Sequence, residues 1–425
     1  MNFIDELKAR ELFYSSTEEK EVVEHLESGT RTFYIGFDPT SDSLHAGSLL
    51  PILTMARLQK KGHKPLVLIG GGTGMIGDPS GKSDERKLLD EKTLTTNLEG
   101  MKKQFSRFLD FDDPETGAEI VNNYDWLKTL TFIEFLRDTG KHFSVNQMIA
   151  KESVKNRLEN REQGISYTEF SYMLLQAYDF YELFKEKKCS VQMGGSDQWG
   201  NITAGIDFIR RKTGKKAYGI TVPLLTTSSG KKFGKSEVGT IWLDSRKTSP
   251  YQFYQFWIRT EDADVIRYLK AFTFLPLTKI AELEAIHREK PHARVASTQL
   301  AEEMTRMVHG EKGLESAQRA TRAFFGGDLS ELTASELMDV FSDVPSHLIK
   351  VTQLEQGLSL VDILSESGFI KSKGQARRMI KGGGIYLNNN RIKNIDRKLE
   401  KNDLIDEAFI VLRSGKKKYF LLRAN

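Results

Sequence analysis

The chain has 425 residues, 28% of them charged and 39% hydrophobic, with a formal net charge of +4, which is length enough for more than one domain. Its one cysteine, Cys189, excludes a disulfide framework and any cysteine-based zinc site and fits a reducing, cytoplasmic compartment. The stretch 2–20 is charged and amphipathic rather than signal-like, and no apolar run approaches the roughly 18 residues of a spanning helix, so no membrane partner is expected.

The first predicted strand is Thr32–Phe37, a short apolar run rich in β-formers. Apolar residues at helical spacing then run from Leu49 to Lys61, with Gly62 as a stop. Pro51 has to lie in the first turn of that helix, so the helix starts near Gly47 or Ser48. Its free N–H groups and positive dipole end then lie beside His45, which makes His45-Ala46-Gly47-Ser48 an anion site.

After a second strand at Pro65–Ile69, Gly72–Gly77 satisfies the dinucleotide-binding spacing but lacks an acid at a strand end. Gly77–Ser83 is one residue short for a phosphate loop and carries a carboxylate, Asp78, where such a loop wants bare amides. Asp78 suits a substrate ammonium better. Lys82 and Arg86 lie four apart and suit departing phosphates.

Ser166-Tyr167-Thr168-Glu169 has capping-box spacing and opens a predicted helix that continues through Phe184. Tyr172, Gln176 and Asp179 share one face of it. Two further strands, Ser190–Met193 and Tyr218–Leu225, complete an alternation of strands and helices that reads as α/β, a doubly wound, Rossmann-like parallel sheet. Lys231–Ser236 is a Lys-rich loop containing Gly234, and with His45–Ser48 it forms a divided grip on a triphosphate.

From 249 to 325 the pattern is helical, with runs at Asp264–Phe272 and Val295–Val308, and turn formers then cluster at Gly326-Gly327 and 342–346. The expected layout is a catalytic domain at 1–245, a helical domain at 246–325, a linker at 326–350 and a small α+β domain at 351–425. That last segment holds 15 Lys+Arg against 8 Asp+Glu, a balance of +7, while residues 1–350 hold 47 against 50. A basic tail on an acidic body points to a polyanionic partner.

Tyr34–Thr40, His45–Ser48, Gly194–Asn201 and Lys232–Ser236, in this order, resemble bacterial tyrosyl-tRNA synthetases, a branch of the class I aminoacyl-tRNA synthetases, and the resemblance spans essentially the whole chain. The tail resembles the small RNA-binding domain of certain ribosomal proteins through Ser372–Arg378 and the turn at Asn388–Ile392. The resemblance implies ATP-dependent activation of L-tyrosine and its transfer to tRNA(Tyr), with Mg²⁺ carried by ATP, no protein-held metal and a homodimeric assembly.

By the same resemblance Tyr34 and Asp179 bind the substrate phenol, Asp78, Tyr172 and Gln176 its ammonium, and Gln198 its carboxyl end. Asp38, Thr40, His45, Ser48, Gly195, Asp197 and Lys235 serve ATP. Lys82, Arg86, Lys232 and Lys235 stabilise the leaving pyrophosphate, and Ser236 is catalytic on the same loop. Lys373, Arg377, Arg378, Lys416, Lys417 and Lys418 contact tRNA. The family's first motif usually ends in a second histidine where this chain has Ser48. Tryptophan is the nearest rival substrate, and a structured-RNA binder or splicing cofactor with a synthetase-like body is the alternative from a different class.

Overall fold

The structure is a computed structural model. It describes all residues except 78–90, 152–153, 156–157, 159–164, 231–232, 237–238, 343 and 416–417, together with the side chains of 91, 94, 235 and 236. The described chain forms two compact units, one of residues 1–244 with 260–300 and one of 245–259 with 301–425.

The first unit is built on a six-stranded sheet of β1 (Ser15–Ser16), β2 (Thr32–Phe37), β3 (Lys64–Ile69), β4 (Glu119–Asn122), β5 (Cys189–Gly195) and β6 (Tyr218–Val222). The order is β1-β6-β5-β2-β3-β4. β2 to β6 run parallel, and β1 is antiparallel to β6. The four interior strands match the apolar runs read from the sequence, because strands covered on both faces are apolar throughout. The two edge strands were not foreseen. β1 is only two serines, and all four residues of β4 are partly exposed. Edge strands lack the second neighbour that would demand an apolar run.

Leu49–Gln59 is a helix preceded by one tight turn at Ala46–Ser48, as Pro51 required. Every residue in it except Pro51 is buried, so it lies within the core. The helix Tyr167–Lys187 begins at Ser166, which accepts from Glu169 N at 3.2 Å while its own N–H donates to Glu169 Oε2 at 3.4 Å. It packs on the helix Trp199–Thr213 through Gly205, where a Cβ would stand 3.0 Å from the Phe180 ring. Among the described residues no helix is long and apolar enough to cross a membrane.

The second unit holds a five-stranded sheet in the order Asn390–Ile392, Ile385–Leu387, Phe409–Ser414, Lys418–Ala424 and Ser346–Ile349, antiparallel but for the last pair. Asn388 and Asn389, at φ 48° and 64°, close the first hairpin with a two-residue turn, a conformation Asn tolerates. One face of the sheet, through Ile410, Leu412, Phe420 and Leu422, packs with Leu364, Ala376 and Ile380. The other, through Phe409, Val411, Tyr419 and Leu421, packs with Leu329, Leu337 and Phe341.

The expected linker at 326–350 is therefore corrected. It contains the helix Ala334–Val340 and the edge strand Ser346–Ile349, and Leu329, Leu332, Leu337 and Phe341 are buried in the core. Apolar spacing in a stretch this short was masked by the turn formers around it. The helical region 246–325 is also divided. Asp262–Phe272 and Leu277–Glu289 fall in the first unit, and Pro250–Ile258 falls in the second. The long helix Val295–Phe324 is broken at Gly310 (φ 72°, ψ 179°), close to where the sequence pattern ended at Val308.

Candidate active site

β2 lies at the centre of the sheet with β3 on one side and β5 on the other, so the strand order reverses between β2 and β5. Such a reversal opens a crevice at the carboxyl ends of the strands. A cavity of about 400 Å³ lies there.

At one side of it stand Tyr34, Tyr172, Gln176, Asp179 and Gln198; the segment after β2 and the start of the helix Trp199–Thr213 bring Asp38, Thr40, His45, Ser48, Gly195 and Asp197 to the same cavity. Residues up to 164 apart in sequence thus converge, and the cavity gathers all the described site side chains expected from the resemblance in the first unit. Lys235 and Ser236 form a two-residue strand paired with Gly239–Thr240, and their side chains lie outside the described set. Asp78, Lys82, Arg86 and Lys232 lie outside the described residues.

Asp179, on the helix Tyr167–Lys187, is 1% exposed. Its Oδ2 accepts from Asn123 Nδ2 at 2.9 Å and its Oδ1 from Trp126 Nε1 at 2.8 Å. The Asn123 amide also donates to Thr73 Oγ1 at 2.9 Å. Burial pushes the Asp179 carboxyl up to about 7; the two donors pull it down and the Asp38 charge adds to the rise. Tyr34 on β2 is also 1% exposed, and its Oη has no hydrogen-bond partner among the described residues. Burial, with the Asp179 charge adding to it, holds that phenol neutral and well above its ordinary range. Directly opposite Tyr34 in the strand register is Gln192 on β5, whose buried Oε1 is likewise unpaired. Both residues line the same cavity, where a buried polar atom without a protein partner can take one from a bound group.

Three amides interlock, of which Gln176 and Gln198 line the cavity. Gln176 Nε2 donates to Gln198 Oε1 at 3.2 Å, and Asn201 Nδ2 reaches Gln176 Oε1 at 3.0 Å and Gln198 Oε1 at 3.3 Å. They can turn donors or acceptors toward a zwitterion without any one of them carrying a charge.

A further part of the wall is the segment that follows β2. His45 is extended (φ −125°, ψ 170°) and leads into the turn Ala46–Ser48. A Cβ on Gly47 would stand 2.9 Å from the His45 ring, so only glycine lets the imidazole lie over the helix start. Trp242 meets His45 edge-on at 6.2 Å, and Ala46 N donates to Ile241 O at 2.8 Å. Gly70 is confined in the same way, since a Cβ there would stand 2.8 Å from Asp38 Oδ1. Ser48 N likewise donates within the turn, to His45 O at 2.8 Å, so what this wall offers an anion is the positive end of the helix dipole.

In the second unit Arg377 and Arg378 lie exposed on the helix Lys373–Lys381. Lys373 is engaged, with its ammonium 2.6 Å from Asp362. Lys418 donates to Phe369 O at 3.0 Å and lies over the Phe369 ring. Lys416 and Lys417 lie outside the described residues. Sequence reasoning missed Asn123, Trp126, Gln192 and Asn201. Asn201 stood within a motif already marked, and Gln192 one strand pair from Tyr34, but nothing in the spacing of Asn123 and Trp126 ties them to Asp179.

The sequence model described as class I tRNA synthetases (W and Y) matches residues 27–326, and that of the tyrosine–tRNA ligase C-terminal domain matches 336–422. The chain is 52% identical over 421 residues to the tyrosine–tRNA ligase of Roseiflexus castenholzii, covering 99% of each, and 49% identical over 423 residues to that of Rhodopirellula baltica, covering 99% of this chain and 96% of the relative. Its structure is similar to that of a C-terminally truncated mitochondrial tyrosyl-tRNA synthetase of Aspergillus nidulans, with TM-score 0.69 and 32% identity over 76% of this chain and 94% of that one. The tryptophanyl-tRNA synthetase of Plasmodium falciparum shares the fold, at TM-score 0.52 and 14% identity over 79% of this chain and 87% of that one.

Proposed function

We propose how this chain, which belongs to the tyrosine–tRNA ligase family of class I tRNA synthetases, carries out that activity: it activates L-tyrosine with ATP and esterifies tRNA(Tyr) with the product. The observation that carries the reading is the pair of buried groups at the cavity floor, the Tyr34 hydroxyl and the Asp179 carboxylate. A phenol seated there donates its O–H to Asp179 and accepts from Tyr34. An indole could not both donate and accept at one atom, which is why tyrosine is favoured over tryptophan.

The reaction on this reading is in-line attack by the tyrosine carboxylate on the α-phosphorus of ATP, releasing pyrophosphate and leaving tyrosyl-adenylate. No side chain acts as nucleophile. Gln176, Tyr172 and Asp78 hold the ammonium and Gln198 the carboxyl end. Asp197 and Gly195 take the ribose, and the helix start at His45–Ser48, with Thr40 and Asp38 beside it, receives the phosphates. Lys82, Arg86, Lys232 and Lys235 neutralise pyrophosphate, aided by Mg²⁺ that enters with ATP, and Ser236 on the same loop offers a hydroxyl. Catalysis is then positioning and charge stabilisation. The 3′-terminal ribose hydroxyl of tRNA next attacks the adenylate carbonyl and expels AMP.

The basic face around Arg377 and Arg378 supports tRNA contact by the second unit, largely through phosphates. Phe132, Ile133 and Val145, 66%, 68% and 57% exposed, support a homodimer that covers them. The single buried cysteine fits a cytoplasmic location. Charging of purified tRNA(Tyr) with labelled tyrosine by the full chain tests the reading; charging by tryptophan alone would reject it.

A further inference from the structure

Phe233 lies in the Lys-rich loop but has no part in the chemistry above, and its packing is specific. Its ring stacks on Phe272 with centroids 4.8 Å apart and planes at 25°, and meets Tyr268 edge-on at 5.1 Å and 71°. Tyr268 and Phe272 touch each other at 5.7 Å and stand four apart on the helix Asp262–Phe272, so they share a face. The next residue, Gly234, has φ 85°, and a Cβ there would lie 2.9 Å from the Gly47 backbone nitrogen. Residues 233 and 234 are therefore seated between an aromatic face and the start of the helix that follows His45.

That seat is itself held at both ends. Near its amino end Asp264 Oδ2 accepts from Ser228 N at 2.9 Å, and Arg267 donates to Thr226 O, so the same helix grips the segment leading into the loop. At its carboxyl end Arg57 donates to Ala271 O at 3.1 Å and Thr273 O at 2.6 Å, and Arg10 donates to Leu275 O at 2.9 Å. Cations suit the negative end of a helix dipole. Arg57 belongs to Leu49–Gln59, the helix whose first turn lines the cavity. One continuous set of contacts thus joins the helix after His45, the helix Asp262–Phe272 and the backbone just before Lys235.

We propose that Phe233, Tyr268 and Phe272 are positioning residues for ATP activation: by seating Phe233 they fix the backbone from which Lys235 leaves, facing the turn Ala46–Ser48. This rests on the ATP reading of the cavity. Neither aromatic on the helix lines the cavity that holds Tyr34 and Asp179, so on that reading their effect falls on the ATP terms alone. The loss of two aromatic contacts corresponds to a change of about tenfold to a hundredfold.

The test measures tyrosine-dependent exchange of pyrophosphate into ATP for the full chain and for Phe233→Ala, Phe233→Met and Phe272→Ala, with KM resolved for each substrate. Trypsin cleavage after Lys231, Lys232 and Lys235 is followed in the absence of ATP. The expected result is a loss in kcat/KM for ATP of about tenfold or more in Phe233→Ala and of about twofold to tenfold in Phe272→Ala, which keeps the Tyr268 contact, with KM for tyrosine unchanged, faster trypsin cleavage, and substantial rescue by Phe233→Met, whose thioether still packs on aromatic rings. Should Phe272→Ala unfold, Phe233→Ala carries the test alone. Normal ATP kinetics in Phe233→Ala, an equal loss toward tyrosine, or an unchanged cleavage rate overturns the seat. Absence of exchange by the unmodified chain overturns the ATP reading and the proposal with it, whatever the trypsin pattern.

Discussion

Asn123 donates its side-chain amide to Asp179 at 2.9 Å from a position 56 residues earlier in the chain. With Trp126 on the other carboxylate oxygen, it fixes the orientation of the acid that would accept the substrate phenol. It also opposes the burial that raises that acid to about 7.

Tyrosine affinity should therefore depend on pH in a range where the amino acid itself does not titrate. As pH falls through about 7, Asp179 takes up a proton, loses the charge that makes it a strong acceptor for the phenol hydrogen, and binding weakens. Asn123→Ala removes a donor that lowers this pKa, so the midpoint moves upward by about one unit. The sign for stability is opposite to that of an ordinary salt-bridged carboxylate. The unfolded acid ionises near 3.8 while the native one holds its proton to about 7, so stability falls as pH rises across that window and levels off above it. Tyrosine titrations at pH 5.5 to 8.5, with Asp179→Asn as the pH-independent control, check the first sign, and thermal melts of the same two proteins across that range check the second.

Tyr34→Phe should weaken tyrosine binding by about 0.5 to 1.5 kcal/mol, the net worth of one hydrogen bond. The unliganded protein should become no less stable, because the hydroxyl removed has no partner among the described residues. Tyrosine titration and thermal melts of the same two proteins check this, and a lowered melting temperature would mean that Tyr34 Oη is satisfied within the fold.

Much of this site could be read from the sequence because its parts are local. The turn at Ala46–Ser48 follows from a proline, and the face of Tyr172, Gln176 and Asp179 follows from helical spacing behind a capping box. What could not be read is set by pairings across the fold. Asn123 and Trp126 meet Asp179 only because β4 pairs with β3, and Gln192 meets Tyr34 only through the β2–β5 register. Phe233 read as a loop residue because its partners lie on a helix beginning 29 positions later. The stretch 326–350 read as a linker because its buried leucines pack on strands from the far end of the chain.

Replacing Phe132 and Ile133 by aspartate should convert a dimer to a monomer without lowering stability, since both side chains are more than half exposed in the single chain. Sedimentation velocity of the variant and parent distinguishes the two. An unchanged sedimentation coefficient would place any subunit contact elsewhere.

Arg377→Gln and Arg378→Gln should each reduce the slope of log affinity for tRNA against log salt by about one. Lys373→Gln should change it less, because that ammonium already stands 2.6 Å from Asp362. Filter binding across a salt series reads the slopes, and equal effects at all three positions would show that the Asp362 pair opens on binding.

The most direct test of the central claim is amino-acid-dependent exchange of labelled pyrophosphate into ATP, run in parallel with tyrosine, tryptophan and phenylalanine. The cavity built on Tyr34 and Asp179 predicts rapid exchange with tyrosine and little with the other two. Exchange driven equally by phenylalanine, or none with tyrosine, would contradict it.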